Sequence, residues 1–131
     1  MSEHPHAAAA RRGFEDFRRG DVSALLALFA PDAVWHVPGE NAMSGSYRGL
    51  EEIGPFLRRT RELTDGTYQV ELLWAVADDE RLVAVYRAQG ERPDGRTLDI
   101  EQALLIRIED GRWGEIRAQP LDQAAFDRFW T

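Results

Sequence analysis

The sequence contains no cysteine among its 131 residues. This absence excludes disulfide bonds, thiolate catalysis and metal centres with cysteine ligands. It also agrees with a cytoplasmic protein, which is the localisation that we expect. Histidine is scarce as well, with three residues, and no spacing of histidine and carboxylate side chains resembles a metal site. We therefore expect neither a metal nor another cofactor.

Long apolar runs and an excess of positive charge are also missing. No apolar stretch approaches the roughly 20 residues of a membrane-spanning helix, and residues 1–10 lack the charged-then-apolar order of a signal peptide. Sixteen basic and 23 acidic side chains give a formal net charge of −7, which repels phosphate backbones and anionic lipid. The basic residues form short pairs next to acidic residues, as on solvated helix faces. The sequence therefore predicts neither a nucleic acid nor a membrane as a partner.

The composition that remains is that of a globular protein. Hydrophobic residues make up 44% and charged residues 30% of the chain, and this mixture argues against disorder. The length favours one domain, 1–131, with one sizeable core. No glycine-rich phosphate loop opens a helix, since the glycines at 111 and 114 lie in a predicted hairpin.

The first half of the chain is predicted to be mainly helical. Ala10, Phe14 and Phe17 recur at helical spacing in a first helix over 7–19, which Gly20 ends. Asp21 caps a second helix. The predicted elements of this half are helices at 7–19, 22–29 and 50–63 and short strands at 33–37 and 46–48.

The second half is predicted to be an antiparallel sheet closed by a short helix. Alternating apolar residues and turn sequences separate its strands. We expect these strands at 67–77, 81–89, 97–108 and 112–119. Helices first and a meander of strands afterwards predict an α+β fold, in which a curved antiparallel sheet wraps over the helices. The concave space between them is where a ligand would bind.

Short motifs in a fixed order carry a resemblance to a known family. The residues concerned are Gly20-Asp21, Leu25 to Leu28, Phe29-Ala30-Pro31-Asp32-Ala33, Trp35-His36-Val37-Pro38-Gly39, Tyr47-Arg48-Gly49 and Asp110-Gly111-Arg112. From about Phe14 to Trp130 the chain resembles the NTF2-like superfamily, and within it the SnoaL-like group that includes polyketide cyclases. The resemblance implies an α+β cone with a small-molecule pocket. The fold itself hosts several enzyme classes and non-catalytic binders.

The resemblance also implies which catalytic residues are lost. A ketosteroid isomerase would have a tyrosine, a base and a protonated aspartate, where this chain has Gly13, Val37 and Leu104. A limonene-epoxide-hydrolase type would have its Asp–Arg–Asp set near Val85, Arg87 and Ala118. The absence of these carboxylates argues against both mechanisms.

Strand parity leaves a few polar candidates, because alternate residues face opposite sides of a sheet. Gln102 is the polar residue on the apolar face of the strand 97–108, whereas Asp99 and Glu101 face the other way. On the preceding strand either Arg87 or Tyr86 faces inward. An inward guanidinium would bind a carboxylate or stabilise an enolate.

His36 is the histidine of the predicted ordered region, and it is either a general base or a packed residue. Trp35 and Val37 share one parity and Val34 and His36 the other, so one pair faces the pocket. We predict His36, Arg87 and Gln102 as catalytic candidates. The expected pocket wall is apolar and mostly aromatic: Trp35, Met43, Phe56, Tyr68, Trp74, Tyr86, Ile116, Phe126 and Trp130.

Two functions remain open at this point. One is a cofactor-independent tailoring enzyme that acts by acid–base chemistry on a hydrophobic carbonyl compound such as a polyketide or terpenoid. The other is a non-catalytic binder of a small hydrophobic molecule. Because relatives often pair through the outer sheet face, we also expect a homodimer there, although Glu101, Ala103, Leu105 and Arg107 give that face a mixed character.

Overall fold

The computed structural model describes residues 3–131, and it confirms the α+β class. Four helices surround one six-stranded sheet. In chain order the elements are α1 (Pro5–Arg18), α2 (Val22–Leu26), β1 (Phe29–Val37), β2 (Gly45–Arg48), α3 (Leu50–Glu62), β3 (Gln69–Ala77), β4 (Arg81–Glu91), β5 (Thr97–Glu109), β6 (Arg112–Pro120) and α4 (Gln123–Trp130). None of the helices within residues 3–131 is long and apolar enough to cross a membrane.

The sheet is mixed rather than wholly antiparallel, which corrects one part of the prediction. The strand order is β2-β1-β6-β5-β4-β3, and β1 runs parallel to β6 while the other neighbours are antiparallel. A parallel pair needs a long connection, and here that connection includes α3 and the four strands β2 to β5. Turn signals detect hairpins between consecutive strands, but they carry no information on a pair so distant in sequence.

Strand β1 begins at Phe29 rather than at the predicted residue 33, because Pro31 lies within the strand instead of between helix and strand. The register of β1 against β6 shifts between Phe29 and Val34. A proline has no backbone N–H to donate, and such irregular places in a sheet accommodate it. The strand therefore begins at Phe29, and α2 ends correspondingly early, at Leu26.

The core lies between the concave face of the sheet and the helices. The predicted stripe of α1 is confirmed, since Ala10, Phe14 and Phe17 are buried. The predicted parity of β5 is also confirmed. Its inward residues Leu98, Gln102, Leu104 and Ile106 are buried, Ile100 is partly buried against the core, and its outward residues Asp99, Glu101 and Arg107 are exposed.

Helix α4 is held at its C-terminal end and at its middle. Arg92 donates to the carbonyl of Phe129 at 2.9 Å, and Arg96 donates to the carbonyls of Arg128 and Thr131 at 2.9 and 2.7 Å. These arginines satisfy carbonyls at the C-terminal end of the helix, which have no partner within it. At the middle of the helix, the Asn41 amide donates to the Asp127 carboxylate at 2.6 Å.

Gly39 lies against the Asp127 side chain that Asn41 binds. We expect Gly39→Ala to destabilise the protein by about 1–3 kcal/mol. Gly39 has a φ of +92°, and an added Cβ would collide with the Asp127 carboxylate and the Gln123 amide. Gly95→Ala is the matched control, because Gly95 has a φ of +93° with nothing within 4 Å of the new carbon. Urea unfolding of both variants measures the difference. Equal losses would show that the contact with Asp127 contributes nothing.

Candidate functional site

A cavity of about 70 Å³ lies between the concave sheet face and helices α1, α3 and α4. Its wall consists of apolar and aromatic side chains with a few neutral polar ones. The residues that line it are Gly13, Phe14, Phe17, Leu25, Trp35, Val37, Met43, Phe56, Leu57, Thr60, Tyr68, Val70, Tyr86, Gln102, Leu104, Trp113, Ala118, Phe126 and Trp130. Among residues 3–131, no Asp, Glu, His, Lys or Arg lines this cavity.

The most polar part of the wall is a pair formed by Gln102 and Tyr86. The Gln102 Nε2 lies 2.7 Å from the Tyr86 Oη and donates to it, whereas the Gln102 Oε1 has no hydrogen-bond partner within the described part of the chain. Both residues are at least 95% buried. A buried polar atom without a partner is costly, and it marks a place where a ligand or a water molecule would be accommodated.

Two further groups add to this polarity. The indole Nε1 of Trp35 is also buried without a partner in residues 3–131. Thr60 is satisfied instead, because its hydroxyl donates to the carbonyl of Leu57 at 2.6 Å. The wall thus offers an unpaired donor at Trp35 in addition to the Gln102–Tyr86 pair.

Burial keeps the tyrosines of the cavity in their neutral form. Desolvation raises the pKa of Tyr86, and the hydrogen bond from Gln102 offsets only part of that shift. Desolvation also raises the pKa of Tyr68 well above its usual range, and the neighbouring Tyr86 raises it further. A neutral phenol donates a hydrogen bond but cannot accept a proton as a general base.

The aromatic wall lies largely where the sequence placed it. Trp35, Met43, Phe56, Tyr68, Tyr86, Phe126 and Trp130 line the cavity. Ile116 is fully buried, but it packs in the core and does not reach the cavity.

The placement of Trp74 in the pocket wall was wrong. The side chain of Trp74 is on the outer face of the sheet, and the residue is 48% exposed. A register irregularity between Leu72 and Trp74 adds a residue to β3, and such a bulge reverses the parity of the residues that follow.

The structure decides between Trp35 and His36 in favour of Trp35. Trp35 and Val37 line the cavity, and His36 lies on the opposite face of β1, so His36 as a catalytic residue of the pocket was wrong. Its Nδ1 is 2.8 Å from the Ser46 Oγ and its Nε2 is 3.1 Å from a Glu115 carboxylate oxygen. His36 thus joins three neighbouring strands, β2, β1 and β6, on the outer surface.

Arg87 is likewise on the outer face, so its prediction as an inward catalytic cation was wrong. The guanidinium forms two hydrogen bonds, of 2.8 and 2.7 Å, with the carboxylate of Asp99 on β5. Tyr86 takes the inward position on β4. Val83 and Val85 share the parity of Arg87, and they face outward with it.

The resemblance implied six positions, and four of them line the cavity. These are Gly13, Val37 and Leu104, where a ketosteroid isomerase would have its catalytic residues, and Ala118. Val85 and Arg87, the other two positions of the limonene-epoxide-hydrolase type, do not line it. The sequence did not single out Thr60 and Trp113 as lining residues. The helical spacing of Phe56, Leu57 and Thr60 on α3 was the available signal for Thr60.

The described residues also form no metal-binding cluster. In the part of the chain that the structure describes, no group of three or more histidine or carboxylate side chains is arranged to hold a metal ion. What the site offers is therefore apolar contact, hydrogen bonding and exclusion of water.

Comparison with known proteins identifies the family. The model of the SnoaL-like domain matches residues 10–116. The chain belongs to the SnoaL-like family. An uncharacterised Mycobacterium tuberculosis protein is 36% identical to this SnoaL-like protein over 122 residues, which is 92% of each chain.

Solved structures agree with the assignment. Bal32a, from a soil-derived mobile gene cassette, superposes with a TM-score of 0.90 at 33% identity and covers 95% of both chains. An NTF2-like protein from Burkholderia pseudomallei superposes with a TM-score of 0.83 at 24% identity, again over 95% of both chains. The cone that the sequence motifs implied is therefore confirmed for this SnoaL-like protein.

We expect His36→Ala to leave ligand affinity unchanged and to alter the pH dependence of stability. The hydrogen bond from His36 is the main cause that lowers the pKa of Glu115, with Arg117 and Arg107 nearby as smaller contributions. A carboxylate with a lowered pKa stabilises the fold above its ordinary value of about 4.5, and this stabilisation is lost as the pH falls through the folded-state pKa.

The difference in unfolding free energy between wild type and His36→Ala should thus be at most about 1 kcal/mol at neutral pH and should shrink on acidification. Urea unfolding between neutral and acidic pH measures it. A tenfold loss of ligand affinity in His36→Ala would instead show that His36 contributes to ligand binding.

Proposed function

We propose that this SnoaL-like protein binds an uncharged, hydrophobic small molecule in the cavity and holds it without acid–base catalysis. One observation carries the proposal: no ionisable side chain other than the two tyrosines lines the cavity within residues 3–131. Ligand sites in proteins are typically apolar clefts with a few placed polar groups. The cavity wall has this composition, since it is mainly apolar and aromatic with a few neutral polar side chains.

The same observation ranks the binder above the tailoring enzyme. A general base must be within hydrogen-bond reach of the substrate and have a pKa near the working pH. His36 and Arg87 face away from the cavity, and the raised pKa values of Tyr68 and Tyr86 keep both phenols protonated. An enzyme acting on a polyketide or terpenoid carbonyl would therefore lack a base among the lining residues.

The volume limits the size of the ligand. A cavity of about 150 Å³ holds benzene in an engineered protein, and the cavity here is smaller, at about 70 Å³. Met43 belongs to its wall, and methionine side chains adapt readily to irregular shapes. A ligand of roughly one ring is consistent with such a wall, provided that Met43 or a neighbouring side chain moves.

Three one-ring probes test the charge selectivity, and benzylamine, which is nearest to toluene in size, gives the stricter comparison. Toluene, para-toluate and benzylamine share one ring and differ in charge, and isothermal titration calorimetry gives their affinities. We expect toluene to bind, and both charged compounds to bind at least tenfold more weakly, because no lining group compensates the desolvation of a charge. Preferential binding of para-toluate or benzylamine would overturn the proposal, and so would the failure of all three to bind.

We also propose a homodimer through the outer face of the sheet. Two cross-strand rows form an apolar surface there, Trp74–Val85–Ala103 and Val76–Val83–Leu105. Trp74, Val76 and Leu105 are 48%, 58% and 44% exposed, whereas Val85 and Ala103 are buried. The Arg87–Asp99 ion pair lies at one edge of this surface. An apolar centre with a charged rim is typical of protein interfaces, and a second copy would offer the same surface across a twofold axis.

Light scattering of wild type and Leu105→Lys tests the assembly. We expect a dimer for the wild type at micromolar concentration and a monomer for the variant, because the lysine would place a charge at the centre of the contact. Leu121→Lys is the matched control, since Leu121 is 63% exposed and lies beyond the end of β6. A monomeric wild type would refute the dimer.

A further inference from the structure

The Gln102–Tyr86 pair restricts the ligand more sharply than the apolar wall does. Gln102 projects inward from the middle of β5, directly across from Tyr86 on β4. Phe14 packs on the Tyr86 ring with 4.9 Å between the ring centres, so apolar groups surround the pair. Among the described residues, the Gln102 Oε1 and the Trp35 Nε1 are the cavity-lining polar atoms that are fully buried without a partner.

The pair needs a partner that both donates and accepts. With the Gln102 Nε2 donating to Tyr86, the Oε1 remains as an acceptor and the Tyr86 O–H remains as a donor. If the amide is turned over, Tyr86 donates to Oε1, and then Nε2 is the free donor and the tyrosine oxygen the free acceptor. In both orientations the pair offers at least one free donor and one free acceptor, so the conclusion does not depend on the orientation.

The geometry points to an uncharged hydroxyl compound, an alcohol or a phenol of about one ring, whose O–H group binds between Gln102 and Tyr86. A hydroxyl group donates and accepts through one oxygen, and therefore satisfies both free positions of the pair. A hydrocarbon satisfies neither, and a bare ketone or ether leaves the acceptor of the pair unpaired. This inference rests on the proposed function, because it concerns the polar end of the same cavity.

The raised pKa of Tyr86 supports the role of a neutral donor at this place. The absence of a cationic side chain from the cavity wall of residues 3–131 also argues that a phenol would bind in its protonated form, since nothing there would stabilise a phenolate. Binding should accordingly weaken as the pH rises above the pKa of the free phenol.

Para-cresol and toluene test the inference, because they differ by one hydroxyl group. We expect the wild type to bind para-cresol at least tenfold more tightly than toluene, as two net hydrogen bonds to a buried pair would provide. In the double variant Tyr86→Phe/Gln102→Leu this preference should fall to about threefold or less, since either residue alone would still offer a donor and an acceptor to the hydroxyl group. Toluene affinity, measured on the same variant by calorimetry, should stay within about threefold of the wild type and so report that the cavity is intact.

Gln119→Leu is the matched control. Gln119 is an exposed glutamine on the neighbouring strand β6, opposite Ala103, and its replacement should preserve the full preference for para-cresol. If toluene binds and para-cresol binds no better, the hydroxyl inference fails and the proposed function stands. If the preference survives in the double variant Tyr86→Phe/Gln102→Leu, the assignment to this pair is wrong. If neither probe binds, the proposed function itself fails.

Discussion

Replacing Trp130 with alanine is expected to lower the free energy of unfolding by about 3–5 kcal/mol. Trp130 is 1% exposed and packs against three other aromatic rings. Its ring centre lies 4.7 Å from that of Phe129, 5.5 Å from that of Tyr68 and 6.5 Å from that of Phe126. The alanine variant would leave a large void between α4 and the sheet, and a chain of this size should melt roughly 10–20 °C lower.

Trp74→Ala is the control for this effect, because it removes the same side chain from an exposed position. Both substitutions are best made in the Leu105→Lys background, so that dimer dissociation does not contribute to either value. Trp74→Ala should then cost less than about 1 kcal/mol in urea unfolding. If Trp130→Ala cost no more than the control, α4 would not be part of the core.

The second large effect is expected from a carboxyl group inside the cavity. Leu104 lines the cavity and is 3% exposed. In Leu104→Asp, burial without a nearby cation should raise the pKa of the new carboxyl by roughly 3–5 units. Each unit corresponds to about 1.36 kcal/mol, and pH 7 lies roughly three units above the ordinary aspartate pKa of about 3.9, so the loss of stability at neutral pH should be roughly 4 kcal/mol.

The pH dependence of the unfolding free energy distinguishes this effect from a loss of packing. At low pH, a carboxyl whose pKa is raised by folding is neutral in both the folded and the unfolded protein. The loss of folding stability that it causes grows as the pH rises above the unfolded-state pKa. Leu104→Asn loses similar contacts without titrating. Urea unfolding should therefore show the two variants with similar stability near pH 4, and Leu104→Asp much less stable near pH 7. Equal stability at both pH values would mean that a charge is accommodated in the cavity.

Much of the fold could be predicted from the sequence, because it is encoded locally. The alternation along β5 placed Gln102 on the buried face correctly, and the spacing of Phe14 and Phe17 gave the buried stripe of α1. The order of the elements and the family motifs then predicted the cone. The parallel pairing of β1 with β6 could not be predicted in this way, since it joins strands separated by most of the chain.

The candidate site was predicted less well, for three separate reasons. Trp74 was misplaced because the bulge in β3 changes the parity without a sequence signal. For His36, either parity of β1 was compatible with the pattern, since both faces of that strand carry large side chains. Arg87 shares its parity with Val83 and Val85, and two apolar neighbours looked like an inward face although they belong to the apolar outer surface.

The binding of toluene to wild type and to Ala118→Leu tests the central claim most directly. Ala118 lines the cavity, and the larger side chain would fill it from the β6 side while preserving or raising stability. The account predicts that toluene quenches the fluorescence of the lining tryptophans saturably in the wild type, and that Ala118→Leu abolishes this binding without lowering the melting temperature. Equal toluene affinity in a stably folded Ala118→Leu would contradict the account, because the ligand would then bind somewhere else.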